Sequence, residues 1–339
     1  MDGQSHSKQA SKQTRIEYID LFRGFGIVMM IMGHIGFGSF FDKWIHIFHM
    51  PMFFIISGYF WKNQPFVSML KKKCRTLLIP YFVFGIIHLI LHFIRVGHID
   101  AHGLYLFLWE NTAEAGVPIA GALWFLTAMF FSEVIFWCVQ RFRIAIGLVA
   151  TTLIALVGMT CATFLPFRLP YAIDVGMVGV GFYFVGKLIR DKWNALLSLN
   201  IIITIVGFVI FSALGCFVNG YVNLREGIYS IWPLFWLNAV GITICLWNIF
   251  RNVYEKLKII ALMEKILEYI KSIGCDSIIY LCLNQLVILI VRHLVFFIPS
   301  SGAFILHVKQ VVIMIMSMIG LYIAQQIIIK TKLKVLVGK

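Results

Sequence analysis

The stretch that decides the fold is Tyr18–Phe37, YIDLFRGFGIVMMIMGHIGF. Its apolar length suits a helix crossing a hydrocarbon layer about 30 Å thick, at about 1.5 Å of rise per residue. It nevertheless contains Arg23 and His34. On an α-helix these two fall within roughly 20° of one another around the axis and about 16 Å apart along it, so they share one face at two depths. A charged side chain in the bilayer centre costs at least ~2.5 kcal/mol, and such residues face a bundle interior or a water-filled cavity. The pair therefore predicts a polar passage along the first helix.

Composition extends that reading to the whole chain. Hydrophobic residues make up 60% of the 339 and charged residues 13%, with a mean hydropathy of +0.90. These values exclude an ordinary soluble domain and indicate a polytopic membrane protein. The net charge of +14 would suit a nucleic-acid partner, but the basic residues alternate with apolar runs, a pattern of membrane topology, so no nucleic acid is expected. The seven cysteines are odd in number, scattered and without a CxxC pair. They read as structural fill, and no zinc or disulfide framework follows.

Apolar runs long enough to span occur at about 18–37, 44–61, 76–94, 121–139, 144–164, 171–187, 197–218, 229–249, 278–298 and 303–329. The expected fold is an all-α integral membrane bundle of about ten transmembrane helices. An N-terminus in the cytoplasm assigns 23 of the 29 Lys and Arg to the inner side, leaving Lys43, Arg95, Arg168, Arg225, Arg292 and Lys309 outside. The positive-inside rule favours that orientation, and an even count returns the C-terminus to the cytoplasm. Residues 1–14 read as a disordered cytoplasmic tail and 15–339 as one transmembrane domain. The longest outer loop is about 95–120, and the inner connection at about 250–277, with Lys256, Lys258, Glu264, Lys265, Glu268 and Lys271 at helix-like spacing, is expected along the membrane surface.

Depth arithmetic places His34, His46, His49, His88 and His92 in the outer half of the bundle. The pairs His46/His49 and His88/His92 have spacings a metal site can use, but interfacial or interhelical hydrogen bonding is the favoured reading, and no metal is expected. At the inner side, Lys71–Arg75 (KKKCR) is the densest cationic cluster. It reads either as a solvated positive-inside flank or as a phosphate site shared with Arg23, whose guanidinium Asp20 could hold. Two function classes fit these residues: an enzyme acting on a cytoplasmic polyanion whose reactive end reaches His34, and a transporter or exporter of a small polar solute or glycan precursor.

Several segments carry a resemblance. IDLFRGFGIVMMIMGH, FHMPMFFIISGYFWK, KKKCRTLLIPYF and GALWFLTAMFF, in this order, resemble the motifs of acyltransferase family 3, the integral-membrane O-acyltransferases that include the fucose acetylase-like group. Arg23 and His34 match the family's cation and His on the first helix, and Lys72 and Arg75 match its pair of cations before the third. Weaker matches at VGFYFVGKLIRD, NGYVNLREGIY and IGCDSIIYLCLNQ extend the resemblance over about residues 15–330. In the last of these the family often has His where this chain has Asn284.

The resemblance implies a transfer of an acyl group, commonly acetyl, from cytoplasmic acetyl-coenzyme A to a hydroxyl of a sugar or other cell-envelope acceptor, in the bacterial cytoplasmic (inner) membrane among its lipids. On this basis Arg23, Lys72 and Arg75, with Lys73 as a weaker candidate, would bind the coenzyme A phosphates. His34 would be the general base or a transient acyl carrier. Asp20, His49, Trp124 and Glu133 are candidates for lining the acceptor side or orienting the catalytic groups, with packing or an interhelical hydrogen bond as the plainer reading of the last three.

Overall fold

A computed structural model describes residues 16–112, 121–299 and 302–339. The expected 1–14 tail and part of the 95–120 loop lie outside the described residues. Those residues form fourteen α-helices and no strand. In chain order they are α1 (Glu17–Ile35), α2 (Ser39–His46), α3 (His49–Tyr59), α4 (Phe66–Lys73), α5 (Ile79–Val96), α6 (Ala101–Leu108) and α7 (Trp124–Val139). After them come α8 (Ile144–Phe164), α9 (Ile173–Asp191), α10 (Ile201–Ala213), α11 (Trp232–Lys258), α12 (Ala261–Cys275), α13 (Ser277–Leu294) and α14 (Ala303–Lys330).

Among the described residues, eight helical segments are long and apolar enough to cross a membrane: Glu17–Ile35, Phe66–Val96, Ile144–Phe164, Pro170–Asp191, Ile201–Asn219, Trp232–Lys258, Ser277–Leu294 and Ala303–Lys330. Two of the ten expected spans fall short. The run at 44–61 is broken into α2 and α3, because Pro51 has no N–H to return to the carbonyl of Ile47. The chain instead closes α2 with short turns from Ile47 N to Trp44 O and from Phe48 N to Ile45 O. The run at 121–139 yields α7, only 16 residues, about 24 Å long. A proline is absorbed differently before α5. Pro80 cannot donate to Thr76, and the turn Cys74–Leu78 is wound as a π-helix that carries α4 into α5 without a break.

Burial sorts the helices into layers. The best span window of α9 is 78% buried and those of α1 and α11 are 56%, whereas that of α10 is 17%. Thus α9, α1 and α11 are central, with α3 and α7 packed among them, and α10 presents an apolar outer face suited to lipid. Without a hydrophobic drive between helices in lipid, close backbone approach must hold them together. Glycines allow it. A Cβ at Gly274 would strike the Asp20 carbonyl and one at Gly24 the Ile270 carbonyl, so α12 lies directly against α1. Gly58 and Gly186 do the same for α3 and α9. Within the 250–277 connection, α11 runs on to Lys258, and α12 packs against the Arg23 half of α1.

Candidate active site along the first helix

The cationic end of α1 opens on a cavity of about 540 Å³ lined by Asp20, Arg23, Ser57, Phe60, Trp61, Lys62, Gln64, Lys72, Lys73 and Glu133, with Ile16 and Ile19. Arg23 lies 3.4 Å from the Asp20 carboxylate and 5.5 Å from the centre of the Phe60 ring. Lys73 reaches Glu133 at 3.2 Å, and the Tyr183 hydroxyl donates to the same carboxylate at 2.9 Å. Glu133 therefore belongs with the cations, not beside His34. Arg75 is exposed and does not line the cavity. The i→i+5 winding that begins at Cys74 takes it off the face of Lys72. Lys62, the last residue of FHMPMFFIISGYFWK and given no role there, lines the cavity.

Beyond Arg23 and Ser57 lies a second gap of about 230 Å³, walled by Ile27, Phe53, Leu77, Phe125, Leu126, Met129 and the Gly274–Leu281 region. Beyond that is a third cavity of about 250 Å³, lined by Met30, Gly33, His34, Asp42, His46, His49, Trp124, Tyr221, Asn223, Arg225 and Glu226, among others. The α1 residues that face these spaces in turn are Ile16, Ile19, Asp20, Arg23, Ile27, Met30 and His34. From the N-cap Ile16, the steps Asp20, Arg23, Ile27, Met30 and His34 are of three and four residues and trace a single stripe of the helix, with Ile19 and Gly33 beside it.

His34 is set at the end of α1 by groups from two other helices. Gln285 on α13 brings its side-chain Nε2 to 3.3 Å from His34 Nδ1. Arg292, two turns further along the same face of α13, donates to the carbonyls of His34 and Ile35, both at 3.1 Å, and Gln310 on α14 donates to that of Gly36. These donors satisfy carbonyls that a helix end leaves open, and a cation there also suits the helix dipole. His49 bonds back to Ile45 O at 2.6 Å, with the His46 ring edge-on at 5.1 Å. Trp124 is buried in the cavity wall. The other two histidines lie elsewhere: His88 bonds Phe84 O at 2.6 Å and His92 bonds Asp100 at 3.0 Å. Among the described residues no three His, Cys, Asp or Glu side chains converge as a metal site would need.

The remaining wall comes from residues 220–231, a tight loop closed by paired backbone bonds between Asn223 and Ile228 at 2.8 and 3.0 Å. Arg168 pins it, donating to the Arg225 carbonyl at 2.6 Å while bonded to buried Asp174 at 2.6 Å. Burial holds the Arg225 guanidinium below its ordinary pKa, with Glu226 opposing the fall and Arg168 adding to it. The Tyr221 phenol is pushed up by burial and by Asp42. Sequence reading missed Gln285, Arg225 and Arg292 as site residues. For Gln285 and Arg292 the available signal was a polar side chain inside the apolar run 278–298; Arg225, in the loop between two runs, carried none, and within IGCDSIIYLCLNQ the family pattern points to Asn284. That residue is fully buried outside the cavity, its amide donating to Tyr280 O at 3.0 Å and Leu281 O at 2.7 Å on its own helix.

Neither the curated proteins nor the solved structures compared with the chain match it. A family model described as an acyltransferase domain does match, over residues 16–325, and so spans every wall of the three cavities. A multi-pass helical bundle with this match is a membrane acyltransferase, and the chain belongs to acyltransferase family 3.

Proposed function

We propose that the protein moves an acyl group, acetyl in the first instance, from cytoplasmic acyl-coenzyme A to a hydroxyl of a sugar or other envelope molecule, in a bacterial cytoplasmic membrane. The observation that carries this reading is the row of three spaces along one stripe of α1, cationic at one end and imidazole-bearing at the other. Arg23, Lys62 and Lys72 would meet the coenzyme A phosphates through charge-assisted bonds, with Lys73 able to exchange Glu133 for phosphate. Arg75 remains a candidate only for a phosphate reaching the surface outside the cavity. The pantetheine arm would follow Ile27 and Met30 to His34.

At that end the chemistry balances simply. The acceptor oxygen attacks the thioester carbonyl as His34 takes its proton. The carbon–sulfur bond then breaks, and the thiolate leaves and is protonated to free coenzyme A. If His34 instead carries the acyl group, its ring nitrogen attacks the thioester carbonyl and the carbon–sulfur bond breaks to release coenzyme A; the acceptor hydroxyl then attacks the acyl carbon, the carbon–nitrogen bond breaks and the hydroxyl proton passes to the freed imidazole. Asp42, Tyr221, Asn223, Arg225 and Glu226 offer a mixed array of donors and acceptors for hydroxyl groups.

A transporter is the weaker reading because the middle gap is walled mainly by apolar side chains. A polar solute would lose its hydration there without replacement bonds. The test is transfer of radiolabel from acetyl-coenzyme A to envelope glycans by membranes containing the protein, with mass spectrometry of glycans from a deletion strain to identify the acceptor. Movement of unmodified solute with no label transferred would overturn the reading.

A further inference from the structure

Four of the described histidines settle their ring tautomer on a nearby backbone carbonyl. Nδ1 of His46, His49, His88 and His293 faces the carbonyl four residues earlier, at 2.7, 2.6, 2.6 and 2.8 Å. A carbonyl can only accept, so each of these rings carries its proton on Nδ1. His34 departs from the pattern: its Nδ1 faces the side-chain amide of Gln285, from a helix 251 residues later. The amide can present either end.

With nitrogen toward the ring, Nδ1 uses its lone pair as acceptor and the neutral ring must hold its proton on Nε2, where it can neither take a hydroxyl proton nor attack a thioester. In that orientation Oε1 is also buried without a partner among the described residues. With oxygen toward the ring, Nδ1–H donates and Nε2 keeps its lone pair. The two ends of a glutamine amide are nearly isosteric, so a half-turn exchanges them without moving the chain. The amide lies beside Gly121, where a Cβ would come within 3.3 Å of Nε2 and 3.4 Å of Oε1, so the missing side chain leaves room for that half-turn.

We propose that Gln285 is a positioning residue that sets the tautomer of His34, its amide oxygen accepting from Nδ1–H so that Nε2 keeps the lone pair the reaction needs. This rests on the role given to His34 above. The first experiment is independent of catalysis: nitrogen-15 NMR of histidine-labelled protein, with the His34 signal identified by its loss in His34→Gln. The expected wild-type signal is the Nδ1–H tautomer, shifting toward Nε2–H in Gln285→Met, which keeps the side-chain length and removes the amide. A wild-type His34 on the Nε2–H tautomer, or a tautomer unchanged in Gln285→Met, overturns the proposal; the wild-type spectrum decides even if the Met variant fails to fold.

The second experiment is kinetic. Gln285→Met should lower kcat roughly 10- to 100-fold with KM little changed, less than the roughly 10²–10⁴-fold of losing the base itself. Gln285→Glu, whose carboxylate accepts, should recover most of that loss. Near-wild-type kcat in Gln285→Met together with a loss in Gln285→Glu would mean that the residue only fills space and would overturn the proposal. If the spectra behave as expected while wild-type protein transfers no acyl group, the acyl-transfer reading falls and the tautomer assignment stands.

Discussion

Replacing Arg23 by alanine should separate the cation that faces the cavity from the one that does not. The Arg23 side chain is 32% exposed, and its ion pair with Asp20 is 3.4 Å long, so the pair itself contributes at most about 1 kcal/mol to stability. The fold should survive its loss. A guanidinium bonded to phosphate is worth about 1.5–3 kcal/mol, which corresponds to a roughly 10- to 150-fold rise in the Kd for coenzyme A. Arg75→Ala serves as the internal control. Its side chain is exposed and off the cavity wall, so any phosphate contact would run through screened solvent and the change should stay within about two-fold. Equilibrium titration of coenzyme A into purified wild-type and variant protein, at two salt concentrations, measures both. Equal losses in the two variants, or an unchanged Kd in Arg23→Ala, would refute the assignment of the phosphates to the Arg23 cavity.

His34→Ala should reduce acyl transfer about 10²–10⁴-fold while coenzyme A still binds, because the cations sit roughly 16 Å away along α1; a folded variant with near-normal turnover would remove His34 from the chemistry. Gly274→Val should prevent α12 from seating on α1, since the added carbons fall on the Asp20 backbone and overpacking of this kind costs at least about 1–3 kcal/mol; an unchanged thermal midpoint in detergent would contradict the packing. Single cysteines at Lys72 and Arg251 should resist a membrane-impermeant reagent added to intact cells and one at Arg225 should react; labelling at 72 from outside would invert the orientation drawn from the distribution of basic residues.

The alignment of Arg23 with His34 was legible because it depends on one helix alone: spacing and 3.6 residues per turn suffice. The eight long apolar helices were legible for the same reason. What spacing could not supply was the face each side chain turns toward its neighbours. Glu133 and Trp124 share α7, yet one end of that helix meets Lys73 and Tyr183 and the other meets the His34 cavity. A count along the chain gives their difference in depth, about 13 Å, but not which neighbours each meets without the placement of α3, α4 and α9. Arg75 lies off the cavity wall through a local effect, the π-helical turn over Cys74–Leu78 just ahead of Pro80. Pro51 carried the signal for the break between α2 and α3, but a continuous apolar run outweighed it.

The ends of α1 explain why its register matters. Near Arg23 the helix is held by the Gly24 and Gly274 contacts and by Glu17, which accepts from the Tyr254 hydroxyl and pairs with Lys258 and Lys271. Near His34 its last carbonyls are held by Arg292 and Gln310. A helix fixed at both ends cannot slide or unwind by a residue without breaking one set of partners, so the distance from cations to imidazole is a fixed length. Under the proposed reaction that length would act as a gauge. A donor whose phosphates are bound delivers its thioester to one depth, and the gap walled by Phe53, Leu77, Phe125 and Met129 leaves little space for an acyl chain to fold back. Under that reading small acyl groups would be favoured, and turnover with acetyl against longer-chain donors is the comparison in which it would show.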